Sequence, residues 1–247
     1  MRHVNYVRWG KYIMELFTLA DFPTHPNQWR ESEKFRPRVQ TVLELACGTG
    51  KILEELAKAG FIVYGVDRSF EMVQAAAQRL RRSGLPAKFW CDDMRKVAAT
   101  LQVDAVICLY DSLNYCLEPV AVAEVFRRVA SLVRSGGLFI FDVCTRSNCR
   151  RNFHNYTESD HFGNLSYSRH AHYRPLSHLQ INDFFIMDES RSGPALREQH
   201  VQRIYSLKEL RAFATQSPWE EAGCFSNISH KPGTERADRV HFVFRRR

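Results

Sequence analysis

Blocks of apolar and polar positions alternate regularly through the first 145 residues. Residues 39–46 form a near-continuous apolar run, which predicts a buried strand. Residues 51–59 place Ile52, Leu53 and Leu56 on one side of a short helix. Residues 61–66 predict a second strand. Ser69 is a suitable N-cap for a helix running to about residue 82, which Ser83, Gly84 and Pro86 would end. Three more strands are expected, at residues 87–91, at 103–109 and in "LFIFDV". A helix over residues 118–134, closed by Ser135-Gly136-Gly137, precedes the last of them. Apolar strands separated by helices predict a parallel sheet covered on both faces. Such a sheet binds ligands outside the carboxyl ends of its strands.

After Thr145 the texture changes. "NLSYSRHAHYRP", "HLQINDFFIMDES" and "LREQHVQRIYS" alternate polar and apolar residues, as an antiparallel meander with one exposed face does. A helix at residues 207–215 and strands at 225–230 and 239–244 follow. At the other end, "YVRWGKYIMELF" reads as an amphipathic helix, with Tyr6, Trp9 and Tyr12 able to reach over a site as a lid. The expected organisation is a helical lid at 1–38, a core at 39–145, an inserted antiparallel β cap at 146–205, and the last helix and strands of the core at 206–247. The sheet is expected to have seven strands, all parallel except the last.

In "ELACGTG" the first strand must turn sharply into a helix. Gly48 and Gly50 permit positive φ and let a ligand approach bare backbone, and the helix start beyond them offers unpaired N–H groups. A dinucleotide fingerprint would put a third small residue at position 53, where this chain has Leu53, so NAD and FAD are disfavoured. Asp67 ends the second strand about twenty residues on, where a carboxylate accepts from ribose hydroxyls.

These residues resemble a known family, the class I S-adenosylmethionine-dependent methyltransferases. "VLELACGTG" is similar to their first motif and "VYGVDRSFEMV" to their second. "CDDMRKV", "DAVICLYDSLNYCL" and "GGLFIFDV" resemble the ends of their next three strands in the small-molecule branch. The resemblance implies S-adenosylmethionine as cofactor and a Rossmann-like α/β fold. It implies that Glu44 orients the loop and the methionine amino group, with Ala46, Gly48 and Gly50 wrapping the methionine part. Asp67, with Arg68 beside it, would meet the ribose, and Met72 the adenine. Asp93 would accept from the adenine amino group, Met94 would offer its backbone N–H, Leu109 its carbonyl, and Tyr12 would close the site. Two alternatives stay open: Met72 as core, and Asp92 in place of Asp93. Ala46 stands where glycine is commoner, and its methyl is tolerable there if the residue has ordinary strand dihedrals.

Methyl transfer from a sulfonium asks mainly for alignment and exclusion of water, so no triad is expected. Asp111, Asn114 and Tyr115 in "YDSLNYC" lie where an acceptor would meet the methyl, unless Asp111 and Asn114 only cap the next helix. His200 and Arg203 in the meander are the further acceptor candidates. His170 and His172 share a strand face, but no acidic or cysteine partner completes a metal pattern in the linear sequence, so no metal is expected.

Charge and cysteines narrow the classes. The net charge of +8 is scattered along the chain without stacking aromatics, which argues against nucleic acid. Seven cysteines lie mostly in apolar runs, as reduced thiols do, and no run approaches the roughly 20 apolar residues of a membrane span. The start, "MRHVNYVRWGKY", has no signal-peptide core. A cytoplasmic enzyme is expected, monomer or homodimer, that methylates an O or N of a small-molecule acceptor. The alternatives are a tRNA or protein methyltransferase, or a catalytically idle cofactor-binding subunit.

Overall fold

The computed structural model describes residues 4–19, 39–98, 100–190 and 193–247. Residues 20–38 of the expected lid lie outside them. The described elements are helix α1 (Tyr6–Leu19), β1 (Thr41–Leu45), α2 (Lys51–Lys58), β2 (Ile62–Asp67), α3 (Phe70–Arg82), β3 (Ala87–Cys91) and β4 (Val103–Cys108). A 3₁₀ turn (Ser112–Tyr115), α4 (Pro119–Leu132), β5 (Val133–Cys144) and α5 (Arg146–Asn152) come next. Strands β6 (Asn155–Phe162), β7 (Leu165–Arg174), β8 (Leu179–Asp188) and β9 (Leu196–Arg203) precede α6 (Leu207–Thr215), β10 (Trp219–Ser226) and β11 (Arg239–Arg246).

The main sheet has seven strands in the order β10-β11-β5-β4-β1-β2-β3. Strands β1 to β5 pair in parallel, and β11 enters antiparallel between β5 and β10. Alternation along the strands feeds two cores. Leu43, Leu45, Val106 and Phe141 pack with α4 and α6 on one face; Val42, Ala105, Ile107 and Ile140 pack with α1 and α2 on the other. In α1, Trp9, Tyr12, Ile13, Leu16 and Phe17 are buried at helical spacing, so this helix is part of the second core. No helix among the described residues is long and apolar enough to cross a membrane.

The second sheet is the antiparallel meander β6-β7-β8-β9. Three boundaries differ from expectation. The short helix α5 stands before the meander, capped by the Thr145 hydroxyl, which accepts from Asn148 N. Helix α4 stops at Leu132 because β5 already pairs with β4 at Val133, ahead of the Gly136-Gly137 pair. Strand β10 covers Trp219–Ser226 rather than 225–230, since the buried Trp219 indole donates to Phe126 O at 3.1 Å and holds the strand start against α4.

The Leu53 mismatch has a structural counterpart. Leu53 is fully buried, and the small residue that lets α2 approach the sheet is in the strand: a Cβ added at Gly65 would lie 2.8 Å from Leu53 Cδ1 and 2.5 Å from the Phe89 ring. Gly65→Ala should therefore overpack this layer and cost about 1–3 kcal/mol in urea unfolding; an unchanged midpoint would show that Phe89 and Leu53 yield freely.

Candidate active site

The glycine turn is held by its neighbours rather than by its own side chains. Cys47 N donates to Val66 O at 3.0 Å, and Gly50 N to Cys47 O at 3.0 Å. Three residues take the left-handed conformation, Ala46 (φ 52°), Gly48 (φ 52°) and Gly50 (φ 71°). Ala46 thus does not meet the condition of ordinary strand dihedrals: the turn begins at this residue, and the chain accepts the cost of a left-handed alanine, about 1–2 kcal/mol. Gly50 is needed twice over, because a Cβ there would also lie 2.9 Å from Ala76 Cβ on α3. A Cβ at Gly48 would meet nothing, so that backbone is open to a ligand.

Asp67 sets the turn. Its Oδ2 accepts from Gly48 N at 2.8 Å and its Oδ1 from Ser69 N at 2.9 Å, which joins the ends of β1 and β2. Arg79 of α3 donates from Nε to Thr49 O at 2.9 Å and pairs with Glu54 at 3.3 Å, latching the turn from behind. Glu44 is buried below the turn, and its Oε2 has no partner. Burial, with Asp67 adding to it, pushes the Glu44 carboxyl well above the usual carboxylate range. A cation within reach of Oε2 would favour the ionised form of this carboxyl.

Around these groups lies a cavity of about 800 Å³. Glu44, Ala46, Gly48, Asp67, Arg68, Met72, Asp93 and Met94 line one side, while Tyr115 and His200 stand on the other. Met72 is 42% exposed, so it faces the cavity and is not core. Asp92 lines the cavity too. The Asp93 carboxylate is gripped by Arg95, at 2.9 and 3.0 Å from Nε, and that bond holds it below its ordinary range. Asp92 gives one oxygen to Asp93 N at 2.8 Å and keeps the other, which favours it as the freer acceptor.

Other candidates stand outside the cavity lining. Tyr12 is buried, its hydroxyl donating to Ser229 O at 2.9 Å; of the lid aromatics only Tyr6 reaches the cavity. Leu109 O accepts from Ser112 Oγ at 2.6 Å. Asn114 is buried and donates from Nδ2 to Arg203 O at 2.6 Å, tying the 3₁₀ turn to β9. The Arg203 guanidinium turns away to Leu117 O and the Tyr205 ring, so Arg203 contributes its carbonyl rather than its charge. Asp111 belongs to a buried cluster. Asp142 on β5 accepts from Tyr110 N at 2.7 Å and Asp111 N at 3.1 Å; Arg239 on β11 contacts Asp142 and donates to Asp111 Oδ2 at 2.7 Å. Sequence reasoning missed Asp142 and Arg239. The one signal was a lone acid closing the apolar run "LFIFDV".

The arrangement can hold a nucleoside with a cationic amino-acid tail and place its far end beside a polar, aromatic wall. Residues 42–137 match the family model described as a methyltransferase domain. YqeM of Bacillus subtilis (strain 168), a methyltransferase by name, is 31% identical over 212 residues, covering 85% of this chain and 77% of that protein. The chain belongs to the class I S-adenosylmethionine-dependent methyltransferases. A second methyltransferase by name, from Geobacillus sp. (strain WCH70), is 26% identical over 84% of this chain and 85% of its own. Among solved structures, an S-adenosylmethionine-dependent methyltransferase from Clostridium acetobutylicum ATCC 824 shares the fold, with TM-score 0.81, 21% identity, and coverage of 99% of this chain and 93% of that one.

Asp67→Ala should weaken S-adenosylhomocysteine binding by on the order of 1–3 kcal/mol in calorimetry, because it frees the loop and leaves polar groups unpaired. Wild-type protein should bind no NAD comparably; unchanged affinity in a folded Asp67→Ala would reduce Asp67 to a helix cap.

The Asp111–Asp142–Arg239 cluster generates a pH effect. Two buried carboxylates share one guanidinium, so the pair holds a proton beyond the ordinary range, and Asp111 is pushed up to about 6, mainly by burial. The folded state then binds this proton more tightly than the unfolded chain. Its stabilising effect is full below about pH 4 and is lost as pH rises through about 6. Asp111→Asn should accordingly be less destabilising, relative to wild type, at pH 7 than at pH 4.5, by on the order of 1–3 kcal/mol in urea titrations. An equal penalty at both pH values would mean that the cluster carries no shared proton.

Proposed function

We propose that this methyltransferase acts on an oxygen or nitrogen of a small acceptor bound between the cofactor and the wall made by Tyr115 and His200. The observation that carries this reading is that one cavity runs from the glycine turn to that wall. Its volume of about 800 Å³ falls within the range of small-molecule sites, about 300–1,000 Å³. Bound S-adenosylmethionine supplies a methyl group activated on a sulfonium sulfur. Glu44 and the Gly48 backbone would hold its methionine part, Asp67 its ribose, and Met72 with Asp92 or Asp93 and Met94 its adenine.

On the acceptor side, Tyr115 Oη lies 2.9 Å from His200 Nδ1, and His200 Nε2 lies 3.4 Å from Glu198 Oε2. Tyr115 is 47% exposed, and its phenolic hydroxyl donates to His200 Nδ1. A proton released by an acceptor hydroxyl or ammonium would then reach His200 through Tyr115, whose hydroxyl gives its own proton to Nδ1 as it takes the acceptor's, with Nε2–H toward Glu198 orienting the ring. Proteins of this fold include an amino pentose methyltransferase and a sugar N-methyltransferase, which is in keeping with a small acceptor here. The scattered positive charge is locally engaged, with Arg127 and Arg128 both on Glu124 and Arg211 on Glu221, which supports a small acceptor over a polynucleotide.

A metabolite screen for S-adenosylhomocysteine release would identify the acceptor. With it in hand, His200→Ala should lower kcat by about 10²-fold or more, the range for loss of a general base, and leave S-adenosylhomocysteine affinity nearly intact. Arg203→Ala should turn over within a few-fold of wild type. Normal turnover in His200→Ala would remove it from the acceptor site, and cofactor binding without any turnover would favour an idle subunit.

A further inference from the structure

We infer that the meander carries a divalent-cation site of the zinc class, built from His170, His172 and Asp183 and separate from the methyl-transfer site. The register of the sheet supplies the acidic partner that the linear pattern lacks. Strand β7 pairs with β8 so that His170 stands opposite Asp183, and His172 follows two residues on, on the same face. One donor atom from each of the three residues lies within 4.8 Å of the others. By the same alternation, His200 points to the opposite face, where it meets Tyr115. The donor groups of the candidate cation site and the His200 ring are therefore on opposite faces of one sheet, and they approach each other only at β9, whose Gln199 touches Asp183 and also lines the cavity.

Around the three residues, the remaining polar atoms are arranged as an outer shell. A metal-bound imidazole ordinarily uses its second nitrogen to bond a neighbouring oxygen, which orients the ring. Here His170 Nε2 lies 2.9 Å from Asn155 Oδ1, which leaves Nδ1 as the free electron pair. His172 Nδ1 is buried and has no partner, an arrangement that costs free energy unless something binds there. Asp183 is buried, and Gln199 Nε2 donates to its Oδ1 at 2.9 Å, so the carboxylate is oriented with Oδ2 remaining. Arg197, largely exposed, also reaches Oδ1 at 3.2 Å and balances the charge while no ion is bound. The histidine rings stack with centroids 5.7 Å apart, so small side-chain rotations suffice to converge the donors.

Two imidazoles and one carboxylate are a borderline-soft donor set that suits Zn²⁺ and its neighbours and does not suit Mg²⁺, which demands oxygen ligands. Three protein ligands leave a fourth tetrahedral position for water. The ion would clamp β7 to β8 at mid-sheet, so its expected role is to stiffen the cap.

The test is calorimetric titration of tag-free, chelator-stripped full-length protein with ZnCl₂, and separately with MgCl₂. One zinc per chain should bind with micromolar or tighter affinity, and magnesium should give no comparable signal. His170→Ala and His172→Ala should each weaken zinc by more than about 10-fold, and Asn155→Ala by about 10-fold as an outer-shell change. His161→Ala, an exposed histidine elsewhere on the sheet, should leave zinc binding unchanged. All four variants should bind S-adenosylhomocysteine as wild type does, which keeps this test independent of the methyltransferase site. The inference is overturned if wild type gives no zinc signal. It is equally overturned if the signal survives in His170→Ala/His172→Ala, since the zinc would then sit on other groups.

Discussion

The active side of this methyltransferase depends on where one buried carboxylate finds its hydrogen bonds. Asp142 is completely buried at the end of β5, and it receives the N–H groups of Tyr110 and Asp111 together with the Arg239 guanidinium. Both of those residues have positive φ, 58° and 59°, so the chain leaving β4 is held in a conformation it would not choose alone. Four parts of the molecule then key on that held loop. Trp9 of α1 stacks on the Tyr110 ring at 4.5 Å, and Arg239 lies over Trp9. The 3₁₀ turn that presents Tyr115 follows directly, and Gln202 of β9 donates to Asp111 O at 3.2 Å. Burying such ions is not a source of stability in itself, since desolvation offsets much of their attraction. What the cluster supplies is position.

The opposite edge of the sheet makes the contrast plain. There Asp104 accepts from Gln40 N, Thr41 N and Thr41 Oγ1, all at 2.8–2.9 Å, and meets Arg134. A comparable set of bonds at the amino ends of β1 and β4 fastens the sheet. At the carboxyl ends it shapes a site. In a parallel sheet this difference follows from topology: the strand order reverses between β1 and β4, and the loops leaving them part on the carboxyl side.

What could be read from the sequence was what is local in the chain. The β1–turn–α2–β2 unit, Asp67 at its end and Ser69 as a cap depend on residues within about thirty positions, and composition reports them. The apolar strands showed which segments form the core, and their alternation after Thr145 marked the meander. Least legible were the residues whose partners are far away. Arg203 looked like an anion binder, yet its carbonyl is what Asn114 uses, and no property of an arginine side chain predicts that. Asp111 looked cavity-facing because Arg239, 128 residues on, cannot be inferred from its surroundings. The left-handed start of the turn at Ala46 was not legible either, because a strand end and a turn start look alike when both are apolar.

The placement of β11 has a consequence for the order in which the molecule can be built. Strand β11 lies between β5 and β10, and Arg239 reaches back 97 residues to Asp142. A growing chain that has already formed β1 to β5 therefore has its glycine turn and Asp67 in place, but leaves Asp142 without its guanidinium partner at an open sheet edge. The cofactor half can ripen early from near-neighbour contacts; the acceptor half waits for a long-range strand insertion, the slow kind of step in folding. Until β11 docks, such an intermediate has a cofactor cleft and no fixed loop against which to align an acceptor.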